Sequence, residues 1–137
     1  MVRYLVDYTV YGRYLAGLEG FDEAFEFVNK NVPELATLDT IYIDTVSYAY
    51  RVISEEGYDV TEVFMRLSNV LRSMIDSTIT EFIDHREYVE QAMHLSSNHE
   101  LDPRLMMYLA ASRARGLILV SMDESLEVFD DVLILKY

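Results

Sequence analysis

Apolar positions divide this chain into short saturated runs and longer stretches with helical spacing. The first run, Val2-Arg3-Tyr4-Leu5-Val6, predicts a strand that stops at Asp7. Behind it Tyr8, Tyr11, Leu15 and Leu18 recur at three- and four-residue intervals, which place side chains on one helical face. That helix is expected to end near Gly20. Phe21, Phe25 and Val28 mark a short second helix ending before Pro33, and Leu35-Ala36-Thr37-Leu38 reads as a short strand. A helix over 39–56 follows, with Ile41, Thr45, Ala49 and Val52 along one stripe.

Gly57 stops that helix, and Asp59 with Glu62 forms a capping box at the next one. This is the clearest helix in the chain, carrying Val63, Leu67, Val70 and Met74 beside Phe64, Leu71 and Ile75. The stretch 78–83 alternates apolar and polar residues like a strand. Asp84 and Glu87 repeat the cap pattern before a helix with Val89, Ala92, Met93 and Ser96. Asp102-Pro103 starts a last long helix, an N-cap followed by proline at the first helical position, and Gly116 ends it. An apolar strand over 117–122, a short turn or helix, and Val132-Leu133-Ile134-Leu135 complete the pattern.

Strands alternating with helices predict a parallel, helix-covered sheet. The run over 117–122 is apolar at nearly every position, which suits a strand buried on both faces. The expected fold is therefore α/β with three layers. No linker, repeat or low-complexity segment divides the chain, so one domain spanning 1–137 is expected.

Composition removes several function classes. There is no cysteine, hence no disulfide framework and no thiolate metal site. Only five glycines are present, and no Gly-rich phosphate loop, dinucleotide fingerprint or serine-nucleophile elbow occurs. His85, His94 and His99 share no metal-ligand spacing. No apolar run reaches membrane-spanning length, so no membrane association is expected. The first residues lack a secretory pattern, and a cytoplasmic location is expected. With 24 acidic against 11 basic side chains the formal charge is −13, which disfavours a broad grip on nucleic acid. Such a chain suits a basic partner protein better than bare RNA.

The candidate chemistry sits at strand ends. Asp7 ends the first strand and Asp123 closes the run over 117–122. In open α/β sheets ligands bind outside the carboxyl ends of the parallel strands. Carboxylates meeting there from distant parts of a chain would make a hard-cation site, which points to phosphate chemistry. Asp in these positions also starts turns and caps helices, and both readings stay open.

Four segments together resemble the PIN-domain family of VapC-type toxins and RNA-processing nucleases. Tyr4-Leu5-Val6-Asp7-Tyr8-Thr9-Val10 is similar to the family's strand ending in Asp, although Tyr8 departs from the usual small polar residue. Leu38 to Ser47 resembles the helix carrying the family's Glu, with Asp44 in that place and Ser47 where Asn is common. Leu101 to Ala111, with Tyr-Leu-Ala at 108–110, resembles the third motif helix. Val120-Ser121-Met122-Asp123 is similar to the last motif.

The resemblance implies metal-assisted cleavage of RNA. Asp7, Asp44 and Asp123 would hold Mg²⁺ or Mn²⁺, with Thr9 and Ser47 in support. It also implies a homodimer, and in toxin-type members an antitoxin partner. The third motif breaks the pattern: the family's Asp is replaced by Leu105, which cannot ligate a cation and is apolar in register with Leu101 and Leu109. Nearby Asp102 is expected to be committed as a helix cap. Two functions follow from the resemblance, a metal-dependent ribonuclease weakened by the missing acid, and a PIN-like binding or dimerisation module without catalysis.

Overall fold

The computed structural model describes residues 1–137. Five parallel strands form one sheet: β1 (Tyr4–Val6), β2 (Leu35–Leu38), β3 (Glu81–Ile83), β4 (Ile118–Ser121) and β5 (Val132–Ile134). Their order is β3-β2-β1-β4-β5. Register pairs Leu5 with Ala36 on one side and with Leu119 on the other. The sheet is flanked by α1 (Tyr8–Leu15), α2 (Phe21–Asn31), α3 (Ile41–Glu56), α4 (Val60–Thr78), α5 (Val89–His99) and α6 (Pro103–Arg115). Helix α1 packs on α2, α3 and α4, while α5 packs on α6, and α6 lies against β1, β2 and β4. The architecture is the three-layer α/β arrangement expected from the alternation of elements.

The central strands are saturated because they are covered on both faces. Leu5, Val6, Leu35, Ala36, Leu38, Leu119 and Val120 are all fully buried. Helix α1 approaches α3 closely because Gly12 has no side chain. A Cβ there would lie 2.5 Å from Tyr48 Cδ2.

Two element boundaries differ from the sequence reading. The alternating stretch 78–83 is not one strand: α4 runs through Thr78, and only Glu81–Ile83 pairs with β2. Thr78 satisfies its hydroxyl on the carbonyl of Met74 at 2.9 Å, so a residue with strand preference closes the helix instead. The helix expected over 39–56 begins at Ile41, because the Asp39 backbone N–H stays with the sheet and donates to Ile83 at 2.9 Å. No helix is long and apolar enough to cross a membrane.

Candidate functional site

Parallel strands bring their carboxyl ends to one edge of the sheet, and four of the five end in an acid. Asp7 follows β1, Asp39 follows β2, Asp84 follows β3, and Asp123 stands two residues past β4. What each acid can do depends on its partners.

Asp7 is fully buried. It caps α1: its Oδ1 accepts the Thr9 backbone N–H at 2.9 Å and the Thr9 hydroxyl at 2.5 Å. The Thr9 oxygen in turn accepts the backbone N–H of Met122 at 2.8 Å and lies 3.2 Å from Ser121 Oγ. Ser121 Oγ accepts the Asp123 N–H at 3.1 Å. One polar chain thus stitches the end of β1 to the end of β4. The second oxygen of Asp7 is buried without any partner. Burial pushes this carboxyl up to about 6, with a small contribution from the nearby Asp123 charge. The Ser121 and Thr9 hydroxyls pull the other way without overcoming it.

Asp123 is partly exposed and starts a 3₁₀ turn over Glu124–Val128, accepting the Ser125 N–H at 2.9 Å. Asp44, in the first turn of α3, is engaged on both oxygens. Its Oδ2 accepts the Thr40 hydroxyl and the Tyr108 hydroxyl, each at 2.8 Å, and its Oδ1 lies 3.4 Å from Arg104 Nε. Ser47 sits one turn further along α3, partly exposed and outside this network. Asp102 caps α6 through the Arg104 N–H at 2.8 Å, and Leu105 is packed in the core beside Met106 and Leu109.

Tyr8, next to Asp7 in sequence, is buried. Its ring meets those of Tyr48 and Tyr108 edge-on at 5.6 Å, and the Arg104 guanidinium lies 5.9 Å from its centroid. Burial, followed by the charge of Asp7, raises the Tyr8 phenol well above its ordinary range. The adjoining cavity, of about 260 Å³, is lined by Thr40, Asp44, His85, Pro103 and Arg104, and Asp7 is not in its wall.

The carboxylate oxygens of Asp7, Asp44 and Asp123 do not all lie within 4.8 Å of one another. The residues whose ligand atoms do lie within 4.8 Å of one another are Asp39, Asp84 and His85. That set is already paired internally. Asp39 Oδ1 accepts the His85 N–H at 3.1 Å and faces His85 Nδ1 at 2.9 Å. Asp84 carries Arg86 on both oxygens, at 2.6 Å for the shortest contact, and Arg86 lowers its carboxyl to about 2. Sequence reading missed this trio, although both acids directly follow expected strands and the same strand-end rule would have marked them.

The donor set gives a poor fit to the Mg²⁺ or Mn²⁺ ions of a phosphodiester-cleaving centre. Among these acids the second oxygen of Asp7 is the one fully buried oxygen with no hydrogen bond. Asp44 already holds two hydroxyl donors and a guanidinium, and Leu105 offers no donor. Asp7 also has no exposed face for a hydrated ion to approach.

No family model matches the chain, and no curated protein matches it. Solved structures do share its fold. PAE2754 from Pyrobaculum aerophilum superposes with a TM-score of 0.65 at 19% identity, covering 98% of this chain and 90% of that one. VapC20 from Mycobacterium tuberculosis, a Sarcin-Ricin loop cleaving toxin, gives 0.65 at 12% identity over 96% and 98% of the two chains. A toxin-antitoxin complex from Klebsiella pneumoniae gives 0.61 at 16% identity over 94% of each. The chain has a PIN-like fold. In this structure Asp7 follows β1, Asp44 lies in the first turn of α3, and Asp123 stands two residues past β4.

Proposed function

We propose that this chain is a PIN-like domain that works by binding a protein partner, its phosphodiester-cleaving centre closed. The observation that carries this reading is the state of Asp44. Its Oδ2 already holds the Thr40 and Tyr108 hydroxyls, and the Arg104 guanidinium stands 3.4 Å from Oδ1, where a cation would have to approach. Leu105 in the core offers no ligand, and the Tyr8 ring beside Asp7 is buried. The charge of −13 supports a partner bearing basic residues, and exposed Ile43, Tyr50 and Met65 on α3 and α4 offer apolar contact. Incubation of wild type and Asp7→Ala with single-stranded RNA and Mn²⁺ tests it. Equal, background-level cutting by both is the expected result, and cutting by wild type that Asp7→Ala abolishes would refute it.

One observation favours the other function. The unpartnered Asp7 oxygen lies close enough to Asp123 to feel its charge, and two such carboxylates could hold one cation and support slow RNA cleavage. The same assay decides between the two.

A further inference from the structure

Asp44 is nine-tenths buried, its side chain 10% exposed, inside a protein with a large excess of negative charge. A carboxylate so placed needs a compensating positive charge as well as hydrogen bonds. Thr40 and Tyr108 supply hydrogen bonds only. The positive charge in reach is Arg104, whose Nε lies 3.4 Å from Oδ1 while its guanidinium faces the Tyr8 ring at 5.9 Å. The backbone N–H of Arg104 is held by the Asp102 cap at 2.8 Å, which fixes the residue on the first turn of α6. Its neighbour in sequence is Leu105, where the PIN pattern carries an acid. Leu105 offers no donor to a cation, and a guanidinium stands one residue away.

We propose that Arg104 is the resident cation of this site: its guanidinium takes the charge-compensating place of a divalent ion and keeps such ions out. This inference rests on the closed-centre reading and goes further by naming the residue that closes it. Arg104 is a positioning residue here, acting through Asp44 and Tyr8. Removing its charge leaves Asp44 uncompensated, and an added divalent cation then becomes the readiest replacement.

The test is thermal unfolding of wild type, Arg104→Gln, and Arg104→Gln with Asp44→Asn, each in chelator and in MnCl₂, with NaCl at matched ionic strength as control. Wild type should be indifferent to Mn²⁺. Arg104→Gln should melt lower in chelator and regain about 4 °C on adding Mn²⁺ but not NaCl. The double variant should lose the Mn²⁺ response, because the carboxylate that attracts the ion is gone. Should Arg104→Gln be unfolded in chelator, the readout becomes recovery of helical circular dichroism with Mn²⁺. An Arg104→Gln protein indifferent to Mn²⁺, or a wild type stabilised as much as the variant, overturns the role of Arg104. The first of those results leaves the closed-centre reading standing, whereas RNA cleavage by wild type removes that reading itself.

Discussion

Tyr108 and Asp44 lie 64 residues apart in sequence, and the Tyr108 hydroxyl donates to Asp44 Oδ2 over 2.8 Å. This bond joins α6 to α3 at the sheet's carboxyl edge, where Tyr108 is fully buried and Asp44 nearly so. Tyr108→Phe keeps the ring and removes the donor. Asp44 retains Thr40 and Arg104, so the expected loss is about 1–3 kcal/mol. A urea denaturation midpoint that falls at constant slope checks it, and an unchanged midpoint would contradict the bond's contribution.

Thr9 serves two sides of the β1–β4 seam, donating to Asp7 and accepting from the Met122 N–H. Thr9→Val preserves shape and leaves both groups short of a partner. We expect a loss of about 2–4 kcal/mol, with Thr9→Ser recovering most of it. Equal stability of the valine and serine variants would show that methyl packing matters more than the hydroxyl.

The buried Asp7 carboxyl has a pH signature of unusual sign. It sits at about 6 in the folded chain against 3.8 when unperturbed. Between those values the folded chain binds more protons than the unfolded one, so stability falls as pH rises through the window. The loss is complete above about pH 6 and has an amplitude of about 3 kcal/mol. Asp7→Asn cannot titrate. Its stability relative to wild type should therefore climb between about pH 4 and 6 and then level off. Paired acids such as Asp84, held low by Arg86, act in both proteins and cancel in the comparison. A difference that stays flat across the window would place Asp7 in a wetter setting than its burial indicates.

Leu105→Asp restores the acid of the PIN pattern, but at a core position 2% exposed among Met106 and Leu109. The expected outcome is a loss of several kcal/mol with no gain in RNA cleavage, since burying a lone carboxylate is costly and Asp44 stays paired with Arg104. A folded Leu105→Asp protein that cuts RNA would show the remaining acids to be competent.

Much of the fold is legible along the chain because its signals are local. Leu35–Leu38 and residues 119–121 read as strands since both faces are buried, and Asp102-Pro103 marks the start of α6 because cap and proline act within one turn. Thr78 misleads for the same reason: its local preference is for a strand, but Tyr11, 67 residues away, meets its hydroxyl at 2.7 Å at the end of α4. At the site, Asp7 and Asp123 are visible as strand-end acids and Leu105 as core. The fate of Asp44 is not legible, because it depends on Arg104 and Tyr108 arriving from a distant helix. Likewise Asp39, Asp84 and His85 meet only because β2 and β3 are neighbours in the sheet.

Calorimetric titration of Mn²⁺ into wild type and Asp7→Ala tests the closed centre most directly. Neither protein is expected to show saturable binding. Saturable binding by wild type that disappears in Asp7→Ala would contradict the closed centre and place a working metal at the end of β1.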